Sequence, residues 1–321
     1  MKYPLIFLLA CSTFVSHQSN AQDSLTQYRQ FIHKADSLFN TKLFIVSGRT
    51  FDSAFNIFGG KGYPDDRYYA ALAWALAKNR DSAFYNLERI AVVTHYAKYF
   101  ELKNEEDFGY LHPDKRWKIL LDTVKQNQLN SYANYNVPLC ELLDSMYEVD
   151  QRCRNKTDRF INHHNFADSV LDLQLWSEVK KVDKYNYTIL DSFFKHYGYI
   201  GYNLAGTSGE NHFWLLIQHQ DKHPGFQDSV LVRMKIEVER NNANKINFAY
   251  LTDRVKLNTG QLQVYGTQMI VNDESNSFVP RPCIDLDKLN ERRKSVGLST
   301  IEEYTKTMNT NHSGMLHNKK Q

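Results

Sequence analysis

Residues 211–268 read NHFWLLIQHQDKHPGFQDSVLVRMKIEVERNNANKINFAYLTDRVKLNTGQLQVYGTQ, and two periodicities meet in them. Up to Gly260 apolar residues return every three or four positions. Phe226, Val230, Met234 and Val238 share one helical face, and Phe248, Leu251 and Val255 share another. Phe213-Trp214-Leu215-Leu216-Ile217 is apolar all round, as in a buried helix, and places Gln218-His219 at its C-terminal end. Past Gly260 the pattern alternates. It predicts a strand over 261–271, with residues 278–284 as a returning partner. The fold class is therefore mainly α, with a small C-terminal β-hairpin near 261–284.

Three polar blocks lie against these apolar runs: Gln218-His219, Tyr250-Leu251-Thr252-Asp253-Arg254 and Tyr265-Gly266-Thr267-Gln268. Unpaired polar groups are expensive to bury, so each block needs partners, in the protein or in a ligand. Asp253 and Arg254 are neighbours and cannot face each other on a helix, so each needs a different partner. Arg254 could clamp an anionic ligand, or it could close an ion pair with Asp150 or Asp183; the sequence favours the ion pair.

Working towards the N-terminus, Pro138 opens a helix on which Leu139, Leu143, Met146, Asp150 and Cys153 share one face. A second helix is expected from Phe166, with Leu173, Trp176, Asp183, Asn186 and Leu190 on its inner side. The glycine-bearing segment 198–209 reads as a loop. Residues 126–136, rich in Asn and Gln, read as an interdomain linker. Residues 23–130 read as helix after helix, and Asp52-Ser53-Ala54-Phe55 recurs as Asp81-Ser82-Ala83-Phe84. In each copy Asp-Ser can cap a helix and Ala-Phe can begin its buried face. This segment resembles degenerate tetratricopeptide-like pairs; a plain helical hairpin explains it equally well. Two short helices, about 286–296 and 300–308, finish the fold, and the tail 309–321 reads as disordered.

The first 22 residues read as an export signal. Lys2 is the basic start, Leu5 to Ala10 an apolar run too short to span a bilayer, and Ser19-Asn20-Ala21-Gln22 a small-residue cleavage site. A periplasmic or secreted location follows. Leu8-Leu9-Ala10-Cys11 offers the alternative of a lipoprotein anchored through Cys11. No later segment is apolar enough to be transmembrane. A net charge of +3 without a clustered basic face argues against nucleic-acid binding. If Cys11 leaves with the signal, Cys140, Cys153 and Cys283 remain, which permits at most one internal disulfide.

The polar blocks carry a resemblance. With Gln218-His219, Phe226-Gln227, Tyr250 to Arg254 and Gln263 to Gln268 in this order, the chain is similar to an uncharacterised bacterial domain family with a QH, FQ, YLxDR and YGTQ series. The likeness extends to Asp150-Gln151 and Arg292-Arg293 and covers about residues 139–305. It implies a domain over 131–308 and no particular activity.

Two functional classes remain. The first is a non-catalytic exported binding or scaffold protein, gripping a protein or peptide through its N-terminal helical module. The second is an envelope hydrolase. In that reading His219 works as acid or base, because imidazole titrates near neutral pH, with Asp150, Asp183 or Asp253 available to orient it and Asp183 and Asp253 as the catalytic choices. Asp150, Gln151, Gln218, Arg254, Tyr265 and Gln268 would then hold the ligand. His219 and His223 have the spacing of a zinc motif, but Gln220 replaces its glutamate and Pro224 draws His223 out of helical geometry, so no metal is expected. There is no nucleophile elbow, phosphate loop or dinucleotide fingerprint, and no cofactor is expected. Binding ranks first because no complete catalytic set can be read.

Overall fold

A computed structural model describes residues 10–163, 169–272 and 274–318. The chain divides between Ser131 and Tyr132 into two compact units. The expected export signal falls partly outside the described residues, which begin at Ala10.

The first unit is helical throughout: α1 (Ala10–Asn40), α2 (Phe44–Ile57), α3 (Pro64–Leu76), α4 (Arg80–Val93), the short α5 (Tyr99–Asn104) and α6 (Lys115–Ser131). Its centre is α3. Ala70, Ala71, Ala73 and Ala75 are fully buried and let α2 and α4 approach closely, while Trp74 fills the gap that remains. Gly48 on α2 faces that indole; a Cβ there would stand 2.6 Å from it. Tyr68, Phe84, Phe108 and Trp117 complete the core.

The repeated Asp-Ser-Ala-Phe buries Ala54, Phe55, Ala83 and Phe84 as its pattern predicts. Neither Asp-Ser pair is a cap, however. The first lies inside α2, and the second sits in the first turn of α4, whose cap is Asn79, accepting from the Ser82 N–H. The units divide inside the expected linker 126–136, but its first half is helix. Residues 126–131 are the end of α6, where the Asn127 side chain donates to the carbonyls of Ala91 and Tyr96, and Gln128 is buried. Polar residues here serve unpaired carbonyls instead of solvating a linker.

The second unit contains α7 (Val137–His163), α8 (Ser169–Tyr197), α9 (Tyr202–Gln218), α10 (Pro224–Glu239), α11 (Lys245–Asn258), β1 (Met269–Asn272), β2 (Ser277–Pro280), α12 (Leu289–Ser295) and α13 (Ile301–Asn318). β1 and β2 form an antiparallel hairpin with Met269 opposite Pro280 and Asn272 opposite Ser277. Leu139, Leu143, Met146 and Asp150 are buried on one face of α7, as the spacing requires. On α8 the inner face is Leu175, Val179, Asn186 and Leu190, while Leu173 and Trp176 are exposed. The expected start of this helix at Phe166 lies outside the described residues.

Of the expected loop 198–209 only residues 198–201 lie outside a helix. α9 begins at Tyr202 and bends at Gly206, whose φ of 67° only glycine adopts without strain. The ring of Tyr135 packs against this bend and would stand 2.8 Å from a Cβ. α13 runs on past Asn309 to Asn318, where a disordered tail is expected. Cys140, Cys153 and Cys283 are free thiols. No described helix is long and apolar enough to cross a membrane.

Candidate functional site

The polar residues of the second unit gather around the C-terminal end of α9. A helix end leaves carbonyls without partners. Here the buried Gln227, from the first turn of α10, donates its Nε2 to the carbonyls of Ile217 (2.9 Å) and Gln218 (3.2 Å). The glutamine of Phe226-Gln227 is thus a cap for α9. His219 is the residue at which α9 stops.

From that position His219 Nδ1 reaches Asp150 Oδ2 on α7 at 2.8 Å. The Asp150 side chain is 1% exposed and that of His219 11%. Gln151 Nε2 also donates to Asp150 (2.9 Å), and Arg154, one turn further along α7, places Nε 3.3 Å from both carboxylate oxygens. The other end of the Arg154 guanidinium pairs with Asp183 on α8. Burial works to raise the Asp150 carboxyl, but the His219 hydrogen bond and the charges of His219 and Arg154 outweigh it and hold it below the ordinary range. For Asp183 burial wins: its carboxyl is raised despite Arg154, and the nearby Asp150 charge adds to the rise. An ionised carboxylate only accepts, so Nδ1 of His219 carries a proton and donates it to the Asp150 hydrogen bond. Among the described residues Nε2 has no protein partner.

A second cluster begins two residues beyond His219. Arg254 on α11 grips Asp221 with both prongs, Nε to Oδ1 at 2.7 Å and Nη2 to Oδ2 at 2.6 Å, and Asn258 donates to Oδ1 at 2.8 Å. These residues border a pocket of about 200 Å³ with Gln268 and Arg281. The expected partners of Arg254, Asp150 and Asp183, belong to Arg154 instead. Burial pushes the Asp221 carboxyl up, but the Arg254 hydrogen bond and charge overcome that and lower it. The pair is 28% and 43% exposed, so water screens it. Arg254→Ala is accordingly expected to reduce stability by about 1 kcal/mol or less. Thermal unfolding of the two proteins measures this, and a melting temperature lowered by ten degrees would contradict the screened geometry.

The third cluster replaces the expected strand. Residues 269–272 pair as a strand and Gln263 makes an isolated bridge with Cys283, while residues 264–268 between them form a loop wrapped around Asp253, a buried carboxylate on α11. Oδ1 accepts the N–H groups of Val264 (2.7 Å) and Tyr265 (2.9 Å), and Oδ2 accepts the N–H (2.8 Å) and hydroxyl (2.9 Å) of Thr267. The loop's carbonyls are met from the other side. Arg292 Nε donates to Val264 O at 2.8 Å, Arg293 Nη1 to Tyr265 O at 2.6 Å, and Tyr304 to Thr267 O at 3.1 Å. Gln263 closes the loop, accepting from Gln268 N–H (2.7 Å) and donating to Gln268 O (3.0 Å). Gly266 turns with a φ of 66°, and a Cβ there would press on Ile301 at 3.1 Å.

Of the expected site residues, Asp150, Gln151, Asp183 and His219 meet, with Arg154 as their hub. Arg254 and Gln268 border the pocket beside Asp221. Asp253, considered as a partner of His219, is saturated by the loop, and Tyr265 takes part in that loop through its backbone. Gln218 leaves its side-chain Oε1 buried without a partner. His223 does not join His219; its ring stacks on Tyr187 at 3.6 Å. No group of three or more potential ligand side chains among the described residues could hold a metal ion. Arg154 is the residue that sequence reasoning missed, although its place four residues after Asp150 on one helix is a readable signal.

A family model, DUF6624, described as a family of unknown function, matches residues 138–316. No curated protein matches the chain. No solved structure matches it either.

Proposed function

Because this chain belongs to DUF6624, a family of unknown function, its role is to be sought in its own geometry, and we propose that it is an exported cell-envelope protein that binds a protein or peptide partner without catalysis. The observation that carries this reading is how the polar residues are spent. Asp253 accepts four hydrogen bonds from one loop, Arg254 is bound to Asp221, and Gln227 caps α9. Groups so engaged fix a structure and leave little free for chemistry. The export part of the proposal rests on residues 1–22. The partner-binding part rests on the first unit, where Leu43, Ile45 and Val46 stand about half exposed at the start of α2.

The test places a photo-crosslinking residue at Ile45 or Val46 of the full chain and, as a comparison, at the still more exposed Leu286. Crosslinks to one protein formed from α2 and abolished by Ile45→Glu, with His219→Gln without effect, are the expected result. No crosslink from α2 in the native envelope would end this reading.

One observation favours a second reading. Gln218 Oε1 is buried without a partner, and the next residue, His219, has its imidazole oriented by Asp150 through Nδ1, which leaves Nε2 for a proton. That is the geometry of a general base, in which Nε2 would take a proton from water or substrate. An activity lost in His219→Gln with the fold intact would favour it.

A further inference from the structure

The first unit holds an arrangement that partner binding does not explain. The turn Gly59-Gly60-Lys61-Gly62 leads from α2 into α3, with φ of +67° and +74° at its first two glycines. Against it lie Arg67 on α3 and Arg89 on α4. Arg67 is only 3% exposed. Its Nη2 donates to Gly60 O at 2.7 Å and its Nη1 to Asn86 Oδ1 at 2.8 Å. Arg89 donates to the same Gly60 carbonyl at 3.4 Å. Two guanidinium groups therefore converge on one neutral oxygen.

Among the described residues neither arginine has a carboxylate within ion-pair distance. Asp52 attracts Arg67 at longer range and forms no ion pair with it. Burial, and after it the charge of Arg89, holds the Arg67 guanidinium below its ordinary pKa. Buried charges are normally paired, and this one sits beside a like charge instead. Beside the two arginines is a pocket of about 130 Å³ lined also by Lys61, Gly62, Val93 and Thr94, with no acidic residue. The Gly62 N–H has no protein acceptor among the described residues. A Cβ at Gly62 would stand 2.7 Å from the Phe55 ring and 3.2 Å from Arg67 Nε, so only glycine fits beside the two side chains.

We propose that this pocket is a binding site for a phosphate group, held by Arg67, Arg89 and Lys61. Three cations without a carboxylate suit a dianion better than a monoanion, and guanidinium forks match the geometry of phosphate oxygens. The pocket has room for the head group alone, so the phosphate is either free or carried on a larger molecule that extends into solvent. The site does not depend on the partner reading above.

The test is calorimetric titration of the full chain with inorganic phosphate, with glycerol 3-phosphate and with acetate, at equal ionic strength. Saturable binding of phosphate at one site and none of acetate is expected. Binding of the ester as well as phosphate identifies a carried head group, and binding of phosphate alone a free ion; both support the site. Arg89→Gln is expected to weaken binding about tenfold, the loss of one charge-assisted contact. Lys61 is exposed, so Lys61→Gln tests the site without risk to the fold and is expected to weaken it as well. Arg281→Gln, in the other unit, is the control and should bind as wild type. Absence of saturable phosphate binding, or Arg89→Gln and Lys61→Gln both binding as wild type, overturns the proposal.

Discussion

Asp253→Ala is expected to destabilise the protein by about 3–5 kcal/mol. The carboxylate is fully buried and accepts three backbone N–H groups and one hydroxyl from residues 264–267. Without it these donors lose their acceptor inside the protein, and each unmet donor costs about 1–3 kcal/mol before the loop relaxes towards water. For a unit of this size that corresponds to a melting temperature lowered by roughly 10 °C. Asp253→Asn keeps the shape but turns an NH₂ towards N–H donors, so it should rescue only part of the loss. Hydrogen exchange supplies the decisive readout: the amides of Val264, Tyr265 and Thr267 should lose protection together. If they stay protected in Asp253→Ala, the loop is held by Arg292, Arg293 and Gln263, and the carboxylate is not its anchor.

This loop also shows where the sequence misleads. Leu262 and Val264 alternate with Gln261 and Gln263 as strand residues do, and only the segment from Met269 pairs as one. The alternation is real, but a carboxylate eleven residues away on α11 claims the N–H groups that a ladder would use. Nothing local announces that competition. Arg254 fails in the same way, since Asp221 lies thirty-three residues from it and sequence spacing says nothing about such a pair. Where the signal is periodic, the reading is sound. The 4-3-4 spacing of Leu139, Leu143, Met146 and Asp150 marks a buried face, and a carboxylate on that face foretells a buried partner, which His219 provides. α8 shows the limit of this argument. Leu173 and Trp176 are apolar enough to read as core, yet Leu175 and Val179 take that place, because a helical face read without a fixed starting point slips by a residue or two. Polar composition is a weaker guide still. Asn127 and Gln128 suggest a linker, and the structure uses Asn127 to cap carbonyls near the end of α4.

Arg154→Ala separates the two functional readings. Arg154 joins Asp150 to Asp183, and Asp150 is buried. Removing the arginine leaves two carboxylates with one fewer counter-charge, and breaking such a pair costs about 3 kcal/mol at neutral pH, the low end of the range for buried pairs. The pH dependence has a definite sign. The folded-state pKa of Asp150 is lowered, so its stabilising contribution is complete above the ordinary carboxylate value of about 4 and disappears as pH falls through the lower folded value. Asp183 is raised, so its ionisation opposes folding above its folded pKa, and that penalty fades as pH falls towards about 4. Arg154 supports the first effect and restrains the second. Its removal should therefore hurt most at pH 7 and progressively less below pH 4. Urea unfolding of wild type and Arg154→Ala at pH 7 and pH 3 measures the difference. A loss near 3 kcal/mol at pH 7 that shrinks in acid identifies Arg154 as the structural hub of α7, α8 and the end of α9. Stability that is unchanged, or raised, at pH 7 would mean that the protein holds unfavourable charge at this place, as functional sites often do. His219, with Nε2 unoccupied and Asp150 behind it, would then be the group to assay for acid–base catalysis.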